Sequence, residues 1–550
     1  MLELLKKPLF TAPLVLTVII GYGFYLLFPS IGIDDLARER YAAGEMFAQG
    51  RFSSTLLRYA LFWANDIPVV KDFIAVILLF CAAIVLGAVI KYVTKDKLPC
   101  YLYTAFSCLF VSYPLINEIY IYNGANLNVS LGYLLTGLSL LLAESVLEKP
   151  GKTKTALYTA INCVLWVFLM SLYESFAFVY VVLVCGVLIL KNLFGEKEMK
   201  LPECLKSIAV YAFPLIVGIV VEFLLGKILI AALGIEGGGV GANKTALEAL
   251  TSVSGIISTV YAIFRQHFFA GFWYFPIGLF ALCIIASLII CITLCIRKKN
   301  ALYLLYFAGI YFGLFAMGLI KAGDLKYRIC QAHGIFVPFT LMLLAYFIIV
   351  KLKTIKKPQI AKGAEISLTI ICGALILGQA LSLWQYFKHD YQRWTEEKAA
   401  LTEVAERLEK ILGVSEKPVI FMGEYSLSEE VMSHKFVRKD DSLYKCFTKL
   451  WEKAGGSLDT TDHDETYVLY KAQGQNGSVI TWGIDAFDEC NTELLNIMEY
   501  LGYNFIQGSV EQYDELSQKT FDEIFEASAA EKTSSATITE KDEYIVVFFG

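Results

Sequence analysis

The sequence predicts an α-helical polytopic membrane protein with about eleven transmembrane helices and a C-terminal α/β domain outside the cytosol. Three observations favour this fold class. Hydrophobic residues make up 57% of the chain and charged residues only 18%. The mean hydropathy is +0.57. Long apolar runs fill residues 1–386, whereas residues 387–550 are mixed polar sequence, so we expect a transmembrane domain followed by an outer domain. This hydropathy excludes a nucleic-acid-binding protein.

Apolar runs of roughly 17–25 residues are long enough to cross the hydrocarbon core of a bilayer. The predicted spans are 9–28, 67–90, 98–121, 126–146, 155–172, 175–195, 207–233, 271–296, 301–320, 331–350 and 364–386. Only Tyr173-Glu174 separates the fifth span from the sixth, which predicts a tight helical hairpin.

The basic residues predict the orientation of these spans. With a cytoplasmic N-terminus, the inner segments hold about 20 Lys and Arg and the outer loops about 9, and short basic loops stay in the cytosol. The first outer loop, residues 29–66, and the region after residue 387 are therefore expected outside the cytosol, in a multi-pass cell-membrane protein.

The C-terminal region shows alternating helix and strand patterns, which are typical of a small α/β domain. Helices are predicted at Asp390–Leu412 and near 442–454 and 490–501. Strands are predicted at 418–423, 467–470, 478–482 and 544–549, and residues 529–540 are predicted to be a loop.

Cysteine and histidine spacing indicates no metal site. Most of the thirteen cysteines lie in the spans, and Cys446 and Cys490 are candidates for a disulfide in the outer domain. The five histidines are scattered, with no HExxH pattern and no Cys/His cluster along the chain, so no protein-built zinc site is expected.

Asp34-Asp35, in the first outer loop, is the strongest candidate for chemistry. Two adjacent carboxylates at a membrane surface cost solvation energy and add little packing, but an enzyme that takes a proton from a hydroxyl group needs such a base. The alternative is a structural role, in which Asp34 caps a short helix that begins at Leu36.

Four arginines follow the aspartates on an amphipathic stretch, residues 36–63: Arg38, Arg40, Arg51 and Arg58. They are expected to touch lipid headgroups, as in interfacial helices. The alternative is that one of them, with Arg38 the first candidate, binds a lipid-linked phosphate through a bidentate contact.

Further polar residues are predicted on the same membrane face. Glu118 closes the third span, Tyr173 and Glu174 form the hairpin turn, and two more loops carry polar side chains. Those loops contribute Arg265, His267, Lys321, Asp324, Lys326 and Arg328. Loops that converge on one face outline a polar site, and an ordinary solvated loop is the alternative for each of them.

These features together resemble the C-type glycosyltransferase (GT-C) architecture, and within it the type II O-antigen glucosyltransferase (Gtr) family. The resemblance rests on residues 33–38 around Asp34-Asp35, on Tyr173-Glu174, on residues 384–390 at the end of the last span, on residues 417–423 and on the strand at 544–549. Glu174 stands where this resemblance leads us to expect glutamine.

The resemblance implies transfer of a hexose, typically glucose, from a polyprenyl phosphate carrier to an acceptor glycan at the cell surface. One of Asp34 and Asp35 would then be the general base of an inverting reaction. Arg38, or the loop with Lys326 and Arg328, would stabilise the leaving phosphate. The substrate-binding candidates are Arg38, Glu118, Tyr173, Glu174, Arg265, Lys326 and Arg328. No cofactor is expected beyond the lipid-linked donor, although a divalent cation stays open.

Two other classes of membrane protein are alternatives. A transporter or flippase of glycan or lipid-linked sugar would place charges within the spans, where only Glu222 and Lys227 occur near mid-span. A surface-glycan polymerase would be expected to carry its largest polar region between spans, whereas here that region is C-terminal.

Overall fold

A computed structural model describes residues 2–31, 50–60, 68–121, 125–148, 150–234, 251–268, 276–321, 329–352, 354, 358–413, 417–423, 428, 492–525 and 531–549. These residues fall into two compact units that separate between Phe387 and Lys388, with Ser30 and Ile31 belonging to the second unit.

The first unit is built from helices. They are α1 (Leu2–Leu5), α2 (Pro8–Leu27), α3 (Phe52–Ala60), α4 (Pro68–Val93), α5 (Cys100–Val111), α6 (Ile116–Ile121), α7 (Asn126–Leu147), α8 (Lys152–Leu172), α9 (Phe176–Phe194), α10 (Leu201–Leu233), α11 (Val253–Phe268), α12 (Ile277–Lys298), α13 (Leu302–Ile320), α14 (His333–Leu352) and α15 (Pro358–Leu412), which continues into the second unit.

Ten of the described helices are long and apolar enough to cross a membrane. They confirm ten of the predicted spans, including the hairpin of α8 and α9 around Tyr173-Glu174. Large apolar side chains remain exposed along these helices, as a lipid environment requires; Leu16, Ile289 and Ile370 are each more than half exposed.

The third predicted span, 98–121, is wrong as a single helix. The structure has α5 and α6 there, with an irregular segment at 112–115 between them. Pro114 explains the break, because proline lacks a backbone N–H and disfavours the helical conformation of the preceding residue, Tyr113. Irregular backbone at this depth is tolerated when it is buried in protein, and both Tyr113 and Leu115 are buried.

Small residues allow close packing between the long helices. A Cβ at Gly218 of α10 would lie 2.8 Å from the backbone carbon of Trp166 in α8. Membrane helices associate through such small residues because lipid tails provide no hydrophobic driving force. Trp166 is itself fully buried and donates a hydrogen bond from Nε1 to the Ser139 hydroxyl of α7 at 2.8 Å.

Helix α11 corrects the prediction that Arg265 and His267 lie in a loop, since both lie in its last turn. Its buried face consists of Thr259, Ile263 and His267, spaced four residues apart. Ile256, Val260 and Phe264 are exposed at the same spacing, so α11 is an amphipathic helix outside the ten candidate spans.

The second unit contains the end of α15 and a four-stranded sheet. The other elements are β1 (Val419–Gly423), α16 (Thr492–Tyr500), α17 (Val510–Ser517), α18 (Phe521–Phe525), β2 (Glu531–Lys532), β3 (Ala536–Glu540) and β4 (Ile545–Phe549). The strand order is β1-β4-β3-β2, with β1 parallel to β4 and the other two pairs antiparallel. Apolar side chains of β1, β4, α17 and α18 form its core, among them Ile420, Val546, Leu516 and Ile524.

This unit confirms the predicted helices at 390–412 and 490–501 and the predicted strands at 418–423 and 544–549. The predicted loop at 529–540 is wrong, because β2 and β3 lie there. In β3, the consecutive β-branched residues Thr537, Ile538 and Thr539, which favour strands, are all buried. Residues 442–454, 467–470 and 478–482 lie outside the described residues, as do Cys446 and Cys490.

Candidate functional site

The predicted site residues divide into two groups. Asp34, Asp35, Arg38, Lys326 and Arg328 lie outside the described residues. Glu118 belongs to α6, Tyr173 and Glu174 form the turn between α8 and α9, and Arg265 lies in the last turn of α11. The side chain of Glu118 also lies outside what the structure describes.

The Tyr173-Glu174 turn holds an arginine that precedes α3. The Arg51 guanidinium lies 3.6 Å from the Glu174 carboxylate and 5.0 Å from the centre of the Tyr173 ring. The turn is well defined because the Tyr173 backbone N–H closes α8 with a hydrogen bond to Leu169 at 3.0 Å. Arg51 is therefore oriented by both predicted residues of the turn, although the Arg51 and Glu174 side chains remain partly exposed.

Glu222 of α10 belongs to the same polar cluster. A Cβ added to Gly50 would lie 2.7 Å from Oε1 of Glu222, and Gly50 has a positive φ of 78°. The backbone conformation favours glycine at this position, and the Glu222 carboxylate approaches it closely. The sequence identified Glu222 only as a mid-span charge; the structure places it beside the residue that precedes Arg51.

Helix α3 is attached to the helical bundle by hydroxyl groups. The Ser53 and Ser171 hydroxyls hydrogen-bond to each other. Asn128 of α7 donates from Nδ2 to the Ser54 hydroxyl at 2.7 Å. Since Ser53 and Ser54 are both buried, this polar face of α3 packs inward and connects the described part of residues 29–66 to α7 and α8.

Asp72 is a buried carboxylate that the sequence analysis missed. It is 1% exposed near the start of α4. Asn126, the first residue of α7, donates from Nδ2 to Oδ1 of Asp72 at 2.7 Å and to the Tyr25 hydroxyl at 2.9 Å. The signal that could have found it was an aspartate, beside Lys71, inside the predicted span 67–90, because ionisable residues are costly in a membrane and usually functional.

Gln331 links the hairpin turn to the start of α14. The Ser175 hydroxyl donates to its side-chain oxygen at 2.9 Å, and the Tyr133 hydroxyl donates to its backbone oxygen at 2.9 Å. All three residues are buried. The segment that follows the loop of Lys326 and Arg328 is therefore fastened to α7 and to the turn that contains Glu174.

In the second unit, a buried ion-pair network holds the residues that lead to Asp34-Asp35. Arg393 is fully buried and donates from Nε to Asp390 at 2.9 Å, from Nη1 to Glu397, and from Nη2 to the backbone oxygen of Ile31 at 2.8 Å. The Ser30 hydroxyl also donates to Asp390. The chain entering the acidic pair is thus fixed by a guanidinium that satisfies three acceptors.

An apolar groove of about 630 Å³ runs along α15 in the first unit. It is lined by Ile371, Gly378 and Tyr386 of α15, by Pro114 in the break between α5 and α6, and by Pro276 and Leu279 at the start of α12. A groove of this size and polarity suits an aliphatic chain better than a sugar.

Comparisons with known proteins identify a family. A protein-family model described as Glucosyl transferase GtrII matches residues 23–349, which is more than half of the chain. The match includes Asp34-Asp35, the Tyr173-Glu174 turn and α11 to most of α14. No curated protein and no solved structure matches this chain.

Proposed function

This chain belongs to the glucosyl transferase GtrII family, and on that premise we propose that it transfers glucose from a polyprenyl phosphate carrier to a cell-surface glycan outside the cytosol. Its multi-pass helical architecture and the excess of basic residues on the opposite loops support this placement. Family membership favours transfer over the transporter, flippase and polymerase alternatives.

We propose an inverting displacement at the anomeric carbon. An acceptor hydroxyl attacks this carbon and loses its proton to Asp34 or Asp35, a new glycosidic C–O bond forms, and the bond to the phosphate oxygen breaks. The electron pair of that bond leaves with the polyprenyl phosphate, whose added charge Arg38 or the loop of Lys326 and Arg328 would stabilise.

The polar cluster of the first unit supports sugar binding by this chain. Arg51, Glu174 and the neighbouring Glu222 provide donors and acceptors of the kind that hold sugar hydroxyls, on elements fixed by Ser53, Ser54 and Gln331. Holding the sugar and the acceptor hydroxyl in a reactive geometry contributes to the rate independently of the base. The single observation on which the proposal most depends is the family match over residues 23–349.

Sugar transfer in sealed vesicles tests both the activity and the side of the membrane on which it occurs. Membrane vesicles with the native outer face exposed are loaded with polyprenyl phosphate carrying radiolabelled glucose, and a glycan acceptor that cannot cross the bilayer is added outside. We expect label on the glycan in intact vesicles. Label only after the vesicles are opened would contradict the outer-side placement, and no label with any surface glycan would contradict the transferase.

The groove along α15 supports a lipid-linked donor, since we propose that it holds the polyprenyl tail. A Gly378→Phe variant would fill the groove, and an added Cβ at Gly378 meets no atom within 4 Å. We expect the KM for a long-chain donor to rise by about tenfold, equivalent to about 1.4 kcal/mol of lost contact. The KM for a donor with only two or three isoprene units should change little.

Gly373→Phe is the matched control, because Gly373 lies on the same helix with equally open surroundings but does not line the groove. Steady-state kinetics with both donors would give the comparison. Equal effects of the two substitutions, or no dependence on chain length, would place the tail elsewhere.

A further inference from the structure

Three side chains of metal-ligating types, from two separate segments of the sequence, meet in the first unit. His267 is in the last turn of α11, Cys330 precedes α14, and His333 is the first residue of α14. One ring nitrogen of each histidine and the cysteine sulfur lie within 4.8 Å of one another. All three side chains are buried, with exposures of 0%, 4% and 0%. Cys330 and His333 are three residues apart, but sequence spacing does not bring His267 to them, so the expectation of no protein-built zinc site missed this cluster.

Backbone contacts orient both imidazoles. His267 Nδ1 lies 2.7 Å from the carbonyl oxygen of Ile263, and His333 Nδ1 lies 2.7 Å from that of Cys330. A carbonyl only accepts, so Nδ1 is the protonated nitrogen of each neutral ring and Nε2 carries the lone pair. Metal-binding histidines are typically fixed in this way, with the second nitrogen donating to a backbone carbonyl. Burial also lowers the pKa of His267 to about 4, which is consistent with a neutral ring.

The surroundings favour a metal that prefers nitrogen and sulfur. The two imidazoles are stacked with centres 5.0 Å apart. Phe280 lies 4.8 Å from His333, and Phe315 lies 5.2 Å from His267, centre to centre. Two imidazoles and one thiolate are a donor set for zinc, whereas magnesium and calcium prefer oxygen ligands. An apolar aromatic shell strengthens the attraction between a cation and a thiolate because it excludes water.

We propose that His267, Cys330 and His333 form a zinc-binding site that fastens α11 to the start of α14. The role is structural: α11 is amphipathic and lies outside the candidate membrane spans, and a metal ion bound by all three side chains would link it to the start of α14. The site also sets the position of Arg265, two residues before His267, and of Gln331, next to Cys330. Three protein ligands leave the fourth position of a tetrahedral zinc site to water or to another ligand.

Metal content is the first test. Wild-type protein purified from zinc-supplemented culture is expected to contain about one zinc ion per chain by elemental analysis. Cys330→Ser and His267→Gln are expected to lose most of this zinc. Cys291→Ser is the matched control and should retain it, since Cys291 is also buried and also lies near a backbone carbonyl, that of Tyr303 at 3.9 Å, but is outside the cluster.

Cobalt substitution of the wild-type protein is a second measurement that does not require the variants to fold. After chelator treatment, added Co²⁺ should produce a thiolate-to-cobalt charge-transfer absorption, and added zinc should raise the melting temperature. The absorption and the stabilisation should persist in Cys291→Ser and disappear in Cys330→Ser. Wild-type protein with no zinc and no cobalt–thiolate absorption, or variants that keep their zinc, would overturn the proposal. None of these measurements depends on sugar transfer.

Discussion

Asp34→Asn or Asp35→Asn is expected to lower glucose transfer by on the order of 10²–10⁴-fold, the usual contribution of a general base. Asparagine keeps the size of the side chain but cannot accept the proton of the attacking hydroxyl. Substitution of the aspartate that acts as the base should lower kcat. Substitution of the other aspartate should lower kcat less or should weaken acceptor binding. Turnover of both variants in the vesicle assay measures this difference.

Glu174→Gln is the matched control for these substitutions. It removes a carboxylate that the structure pairs with Arg51, and we expect a smaller effect, mainly on KM. A helix-capping role for Asp34 predicts a different pattern, in which Asp34→Asn has little effect on stability or activity because asparagine caps a helix as well as aspartate does. If both amides transfer glucose at the wild-type rate, the base must be sought among Glu118, Glu174 and the buried Asp72.

Arg393→Ala is expected to lower the free energy of unfolding of the second unit by about 3–5 kcal/mol, the usual cost of removing one partner from a buried ion pair. The substitution leaves Asp390 and Glu397, both buried, without their shared cation. It also removes the donor to the Ile31 carbonyl. Since Ile31 lies three residues before Asp34, we expect turnover to fall as well.

Urea denaturation of the full chain, followed by tryptophan fluorescence, would measure this loss from the midpoint and slope of the transition. Lys398→Ala is the control, because Lys398 is an exposed residue of the same helix, and surface substitutions usually change stability by less than about 0.5 kcal/mol. Replacing Arg393, Asp390 and Glu397 together by apolar residues of similar size should restore most of the stability but not the anchoring of Ile31. A stable Arg393→Ala variant with normal turnover would show that the network has neither role.

The structure could be predicted from the sequence where a single signal determines it. Apolar run length predicted ten helices and the hairpin at Tyr173-Glu174, because crossing a bilayer imposes a minimum length. It failed where a local feature interrupts the signal, as at Pro114. It also failed where a composition rich in serine, threonine and alanine hid a strand, as at Ala536–Glu540, where four consecutive residues are buried and burial does not alternate.

Spacing along the sequence could not predict the polar cluster or the proposed metal-binding cluster, and the reason is the same for both. Gly50 and Glu222, and likewise His267 and His333, are brought together only by the packing of helices that are far apart in the chain. For α11, however, a usable signal existed. Ile256, Val260 and Phe264 recur at helical spacing just before Arg265 and His267, which were predicted to lie in a loop.

The strand order of the C-terminal sheet has a consequence for how this protein is made. Val419 of β1 pairs with Ile545 of β4, and β4 lies between β1 and β3. Pairing β1 with β4 brings together two strands that are separated by residues 424–544. Closing so long a stretch of chain costs conformational entropy before strand pairing compensates for it. The sheet therefore cannot assemble before residues 545–549 have been synthesised, and until then the apolar side chains of β1 are available to chaperones, to proteases or to the wrong partner strand.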